Sequence, residues 1–248
     1  MNKINIISWN IACLPSKINF ISNPKKRINA IIQILKNISP DIICLQEAFD
    51  HKVVNKIIEN LPEYHFALTP TTYSFMCYDG LLIASKFPIE NTHFQSYGRG
   101  TGEECLVEKC ILSASIYLPF LKESILIHNT HLQSDGIFSF SRLDMKHRIK
   151  QTKIMTNQIT KNPIALNILC GDFNIKLNEP LFQKFHANLS NIYKHILFND
   201  IEIFTCDNNQ LDYIICLSND PHVKRMEFYN KKYKCSDHCI LLSKLYFD

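Results

Sequence analysis

Hydrophobic and polar residues alternate along this chain with two different periods, and the switches between them mark its elements. Ile4, Ile6, Ser8 and Asn10 on one face, with Asn5, Ile7, Trp9 and Ile11 on the other, predict a strand covered on both sides that ends in a polar residue. From Pro24 to Ile38 the period lengthens: Ile28, Ile31, Ile32, Leu35 and Ile38 fall at helical spacing, with Lys25, Lys26, Arg27 and Lys36 opposite. Ser39-Pro40 stops that helix, and Asp41 to Glu47 reads as a second apolar strand finishing on a carboxylate. A second amphipathic helix follows from His51 to Leu61, closed by Pro62.

Gly80 to Ile89 reads as a strand with a Pro-limited turn. Lys109 to Tyr117 and Ser124 to Leu132 read as a hairpin-like pair around Leu118-Pro119-Phe120-Leu121. A helix from about Arg142 to Thr160 leads through Pro163 to a strand that starts at Ala165 and runs into Gly171-Asp172-Phe173-Asn174. A short helix over Pro180 to Leu189 and strands over Leu211 to Leu217 and Cys239 to Leu245 complete the chain. Helices between strands, together with adjacent hairpin-like strands, predict a mixed sheet system with helices outside. No seam, repeat or low-complexity linker divides the sequence, so one domain over 1–248 is expected.

Composition narrows the picture in three ways. With 46% hydrophobic and 20% charged residues the 248-residue chain can bury a substantial core. Its net charge of +4 permits an anionic partner without the basicity of a nucleic-acid coat protein. The ten cysteines include no C-x-x-C pair, which argues against a zinc ribbon, and Cys44, Cys110, Cys170 and Cys216 sit singly inside apolar runs, as free thiols that pack as small hydrophobes do. The start of the chain moves straight into a strand pattern rather than a secretory leader, and no apolar run reaches membrane-spanning length. The expectation is therefore a soluble, intracellular, cytoplasmic monomer with reduced thiols.

Six apolar strands end in a polar residue: Asn10, Glu47, His131, Asp172 with Asn174, Asp212, and Asp237 with His238. Gathered at one edge, they would supply carboxylates for a hard divalent cation, imidazoles for proton transfer and phosphate contact, and amides for orientation. That set suits hydrolysis of a phosphoester. Taken singly, each residue has a plainer reading, since Gly, Asp and Asn are ordinary turn formers and a Glu or His can cap a strand in solvent.

The motifs Trp9-Asn10, Leu45-Gln46-Glu47, Thr130-His131-Leu132, Gly171-Asp172-Phe173-Asn174, Leu211-Asp212-Tyr213 and Ser236-Asp237-His238, in that order, resemble the endonuclease/exonuclease/phosphatase superfamily over nearly the whole chain. The resemblance implies a four-layered α/β sandwich of the deoxyribonuclease I-like kind: two packed mixed β-sheets flanked by helices, with the active site at the sheet edges. Within the superfamily the chain resembles the neutral sphingomyelinase branch. Leu45-Gln46-Glu47-Ala48-Phe49-Asp50 is similar to its L-Q-E-V-F-D pattern, Gly80 to Ile89 to its G-x-x-I-x-S-K-x-P-I segment, and Thr130-His131-Leu132-Gln133 to T-H-L-Q. Glu104 to Lys109 looks like the segment that carries its Lys, and Arg148 with Gln151 falls at its R-x-x-Q. Abasic-site endonucleases have Q-E-T-K after the second strand and a Tyr where His131 stands, and this chain departs from both.

What the resemblance implies is a metal-dependent phosphoric ester hydrolase. Glu47, assisted by Asn10 and Asp237, would hold Mg²⁺, with Mn²⁺ as a substitute. His238 would take a proton from the attacking water while Asp212 fixes its tautomer. Asp172 would position that water, and Asn174 and His131 would hydrogen-bond the non-bridging oxygens. The sequence leaves open whether His238 or Asp172 is the base, and it leaves the leaving-group acid unassigned, a metal-bound water being one candidate.

Three functions stay in view: cleavage of a phospholipid headgroup, a nuclease or inositol-polyphosphate-type phosphatase on the same fold, and a catalytically inactive binding protein. Aromatic and apolar residues from Ile137 to Phe140, followed by Arg142, Lys146 and Arg148, suit a membrane interface or a loop tucked onto the domain. Lys224, Arg225, Lys231, Lys232 and Lys234 suit anionic lipid, a nucleic-acid backbone or plain solvent. Lys109 is read either as a surface charge or as a phosphate-side residue, and His128 as structural.

Overall fold

A computed structural model describes residues 2–13, 24–70, 77–135, 141–161, 163, 166–200, 203–219 and 223–248. Its strands are β1 (Lys3–Cys13), β2 (Ile42–Ala48), β3 (His65–Leu68), β4 (Cys77–Tyr78), β5 (Leu82–Ser85), β6 (Ile89–Arg99), β7 (Val107–Leu118), β8 (Glu123–His131), β9 (Asn167–Asp172), β10 (His195–Phe198), β11 (Asp212–Ser218), β12 (Val223–Lys232) and β13 (Cys239–Phe247). The helices are α1 (Pro24–Ile38), α2 (His51–Asn60), α3 (Ser141–Ile159) and α4 (Pro180–Ser190).

The strands form two sheets. One runs β12-β13-β1-β2-β5-β3, and the other β10-β11-β9-β8-β7-β4 with β6 added alongside β7. Each sheet is built around one parallel pair, β1 with β2 and β8 with β9, and each pair is joined through a helix, α1 or α3. Antiparallel neighbours flank both pairs. Parallel strands need such a crossover, so the two central pairs force the helices onto the sheet faces.

Period-two alternation then decides which core each residue enters. On β1, Ile4 and Ile6 face the opposite sheet, whereas Ile7, Trp9, Ile11 and Cys13 lie under α1 and α2. On β9, Ile168 and Cys170 face inward, while Leu169 packs under α3 and α4 with Met155, Phe182 and Phe185. The result is three apolar layers between four structural layers, the α/β sandwich anticipated above. Cys44, Cys110, Cys170 and Cys216 all fill the layer between the sheets.

Several strands went unread because they carry little alternation. The segment over β6 is polar and mostly exposed, and it is a strand because it pairs with β7 from Ile89↔Ile116 to Arg99↔Glu108. β12, which holds most of the predicted basic cluster, is likewise an exposed edge strand paired to β13. Cross-strand hydrogen bonding to a buried neighbour overrides weak local propensity in both cases. The predicted strand from Gly80 is also shorter, beginning at Leu82.

Candidate active site

Along the inner faces of the central strands the chemistry changes with height. Aliphatic side chains fill the floor, Ser8, Gln46 and Asn129 form one buried polar layer, and the next layer holds Asn10, Glu47, His131, Asp172 and Asp212 with His238. Ser8 to Asn10 and Asn129 to His131 are two-residue steps along one strand face, the repeat of the pleat, whereas Glu47 directly follows Gln46 and joins the layer through its left-handed backbone.

Glycine and two left-handed residues make the ends converge. Gly171 has φ +149, and a Cβ there would lie 2.0 Å from the Thr130 carbonyl oxygen, so β8 and β9 approach this closely only because position 171 lacks a side chain. Glu47 (φ +56) and Asn174 (φ +50) leave their strands in left-handed conformations, a costly geometry for non-glycine residues that is found concentrated at functional sites. Tertiary contacts fix the last end: Trp9 Nε1 donates to the His238 carbonyl at 3.2 Å, Ser236 Oγ donates to the Asn10 carbonyl at 2.7 Å, and the His238 amide donates to Ser236 Oγ at 3.1 Å.

Two Asp–His pairs face each other across Asp172. His238 Nδ1 is 2.8 Å from Asp212 Oδ2, and His131 Nδ1 is 3.2 Å from Asp79 Oδ1. Both Nε2 atoms turn toward Asp172 Oδ2, at 3.5 Å and 3.8 Å. Asp172 also accepts from the Asn174 amide at 3.0 Å and from Asn10 Nδ2 at 3.1 Å. Asn10 Nδ2 donates to Glu47 Oε1 as well, at 2.9 Å, so one amide group clasps two carboxylates from different sheets. Behind His131, Lys109 Nζ is buried against Asp79 (3.3 Å) and Glu104 (2.8 Å).

Burial pushes the His238 imidazole toward the neutral form, but the Asp212 and Asp172 carboxylates outweigh it and hold its pKa well above the usual range. His131 is pulled down by burial and by Lys109, yet Asp79 and then Asp172 raise it to about 9. Burial and the Asp212 charge raise Asp172, and the two imidazoles and Asn10 oppose that only in part. Lys109 loses to burial and gains more from Asp79 and Glu104, so it stays a cation.

The predicted residues are therefore distributed as follows. Asn10, Glu47, His131, Asp172, Asp212 and His238 share one contiguous network, and Asn174 adjoins it, half-buried, with Nδ2 donating to the Leu132 carbonyl at 3.1 Å. Asp237 is exposed, its carboxylate accepts from Ser236 Oγ at 3.3 Å, and its carbonyl is met by Lys232. The Asn10 side-chain oxygen accepts the Ala12 amide at 3.0 Å, and its N–H groups turn toward Glu47. Lys109 is buried in the network, and His128 is packed between Ser113 and Asn167, its pKa lowered to about 4 chiefly by burial. Arg148 and Gln151 brace the loop after His131 through the Gln133 carbonyl and amide. Ile137 to Phe140 lie outside the described residues.

Sequence reading missed Asp79. It follows a strand of two residues, its neighbours show no periodic pattern, and its only local signal is the Asp-Gly pair that ordinarily marks a turn.

The network suits a hard cation. Glu47, Asp79, Glu104, Asp172 and Asp212 face one ammonium and two imidazoles, which leaves an excess of negative charge even with both rings protonated. The Glu47 side chain is 19% exposed, whereas those of Asp79, Asp172 and Asp212 are at most 2% exposed. Asp172, Asp212 and His238 also present ligand atoms within 4.8 Å of one another, but an ion among them would compete with the Asp212–His238 hydrogen bond. An oxygen-liganded ion that keeps several waters fits the accessible carboxylate of Glu47 better.

This fold and site define a class, and the family model of the endonuclease/exonuclease/phosphatase family matches residues 7–238, so the chain belongs to that family. It is 30% identical over 156 residues to sphingomyelin phosphodiesterase 5 of Danio rerio, a match covering 55% of this chain and 28% of that protein. It is 28% identical over 186 residues to the 5'-tyrosyl-DNA phosphodiesterase of Caenorhabditis elegans, covering 71% of this chain and 44% of that one. The matches thus span less than half the length of either relative. Among solved structures, a doubly substituted beta toxin from Staphylococcus aureus with bound magnesium ions superposes with a TM-score of 0.80 at 19% identity, over all of both chains. No helix among the described residues is long and apolar enough to cross a membrane.

Proposed function

We propose that this protein is a Mg²⁺-dependent phosphodiesterase of the sphingomyelinase type, which cleaves a phospholipid headgroup by attack of water on phosphorus, with the whole chain acting as one catalytic unit. The observation that carries this reading is the facing pair of Asp–His dyads around Asp172, with Glu47 the accessible carboxylate beside them.

In its neutral form His238 keeps Nδ1–H on Asp212, so Nε2 is the atom left to receive the water proton, and the same carboxylate stabilises the imidazolium that forms; the metal-free site favours that imidazolium, and a cation held beside Glu47 would favour it less. Asp172 is the positioning group rather than the base, because its oxygens already accept from Asn174 and Asn10. His131, kept protonated by Asp79, offers Nε2–H to a non-bridging oxygen or to the departing oxygen, and the half-buried Asn174 amide adds a second donor. Glu47 would hold Mg²⁺, with Asn10 fixing that carboxylate. When bound, the ion supplies Lewis-acid polarisation of the phosphate.

The 30% identity to a sphingomyelin phosphodiesterase and the T-H-L-Q and S-K-x-P-I segments support a lipid headgroup. A nuclease-like reading draws on one specific observation, the longer match to a tyrosyl-DNA phosphodiesterase. Purified protein assayed with Mg²⁺ or EDTA on sphingomyelin vesicles, abasic and single-stranded DNA, RNA and inositol phosphates decides between them. Sphingomyelin turnover that EDTA and His238→Ala abolish is the expected result. Turnover of nucleic acid alone overturns the lipid assignment, and activity on none of these overturns the enzyme reading.

A further inference from the structure

One layer below the candidate catalytic residues, a single side chain ties the two sheets together. Asn129 is fully buried on the inner face of β8, two residues before His131. Its Nδ2 donates across the gap to the carbonyls of Leu45 on β2, at 2.8 Å, and Leu82 on β5, at 3.0 Å. Its Oδ1 accepts from Gln46 Nε2 at 2.7 Å, and Gln46 in turn reaches Ser8 Oγ at 3.2 Å. Both amide hydrogens of Asn129 are thus spent on the opposite sheet, at the last pair of the β2–β5 ladder and two residues before Glu47.

An aliphatic residue here would continue the apolar floor formed by Ile125 and Ile127 on the same face. Apolar contact between two sheets is non-directional and by itself singles out no one register. Three hydrogen bonds to fixed backbone and amide groups single one out. The Asn129 amide has both its N–H groups and its oxygen paired, while Gln46 Oε1 beside it has no partner, and a buried amide satisfied in this way adds rigidity at that point, at a cost in desolvation. The interactions directly above depend on the spacing: Asn10 to Asp172 at 3.1 Å and Glu47 to His131 at 3.9 Å both join one sheet to the other.

We propose that Asn129 is a positioning residue for the reaction, setting the separation and register of the two sheets so that the Glu47 and Asn10 ends meet the His131 and Asp172 ends at working distance. It lies beneath the site, fully buried, and acts through Leu45, Leu82 and Gln46. The kinetic consequence rests on the phosphodiesterase reading above. The geometric consequence does not.

Asn129→Leu, which keeps the branched outline at a larger volume, removes both donors and leaves the two carbonyls facing an apolar chain. The exchanged pair Asn129→Gln with Gln46→Asn conserves the total length of the two amides and is the rescue variant. With bis(p-nitrophenyl) phosphate and Mg²⁺, N129L is expected to lower kcat by about 100-fold with KM changed less than about threefold, since a misplacement near 1 Å costs that much. The exchanged pair is expected to recover at least about tenfold of that loss. The second readout needs no activity. In wild-type protein without metal, the Asn10 side-chain amide, held between Glu47 and Asp172, is expected to show slowed hydrogen exchange by NMR. N129L should lose that protection while backbone amides of β1 and β9 keep theirs. Should N129L fail to fold, Asn129→Ser, which keeps one donor, carries the same measurements. A folded variant with unchanged Asn10 protection overturns the proposal, as does a fall in thermal midpoint with kcat and KM both unchanged. Loss of Asn10 protection without detectable turnover in any variant supports the positioning role and instead counts against the phosphodiesterase reading.

Discussion

Nδ1 of His238 lies 2.8 Å from Oδ2 of Asp212, a contact that joins the end of one sheet to the start of a strand in the other. It commits Nδ1 to that carboxylate and turns Nε2 toward Asp172 Oδ2, 3.5 Å away. Asp212→Asn keeps the shape but removes the charge, so His238 should lose its preference for the productive tautomer. We expect kcat to fall by ~10²–10⁴-fold with the protein still folded. The His238 NMR titration should move down, because the Asp212 charge is a principal cause of its raised pKa. An unshifted titration would contradict the pairing.

Stability should depend on pH through His131. Its folded pKa of about 9 lies above the unfolded value near 6.5, so the folded state holds this proton more tightly. That stabilisation is fully present below about pH 6.5 and is lost as pH rises toward 9, on the order of 3 kcal/mol in all. Urea unfolding in EDTA across pH 6 to 10 measures it. Asp79→Asn should flatten this part of the curve, and an equally steep curve in that variant would show that Asp79 is not the partner responsible.

Asn10→Asp replaces the amide between Glu47 and Asp172 with a third carboxylate. Without metal the variant should be less stable by on the order of 3 kcal/mol, since a buried charge is left facing like charges. Mg²⁺ should raise its thermal midpoint more than it raises that of the wild type. Melting curves in EDTA and in Mg²⁺ test this, and equal metal-induced shifts in the two proteins would argue against a cation held beside Glu47.

Gly171→Ala should fail on steric grounds, because the new methyl would meet the Thr130 carbonyl oxygen at 2.0 Å. Separating β8 from β9 or twisting the strand exit should cost more than about 3 kcal/mol. A urea midpoint within error of wild type would mean that the two strands can part more easily than their pairing suggests.

The sequence by itself determined the ingredients. Apolar runs and alternation announced β1, β2, β8, β9, β11 and β13 as strands, helical stretches announced α1 to α4, and the polar residues at the strand ends announced chemistry, because local periodicity reports which faces are covered. What it could not determine was which ends meet and which atoms they present. The exposed edge strands β6 and β12 carry too little pattern to be read locally, and they exist through pairing with buried neighbours. Asp79 enters the network from far back in the chain, with β5, β6 and β7 between it and His131, and Lys109 turns inward toward Asp79 and Glu104. Asn10 presents its N–H groups to two carboxylates from different sheets while its side-chain oxygen accepts the Ala12 amide. Such choices depend on contacts between residues far apart in the chain, and only the packing of one sheet on the other supplies them.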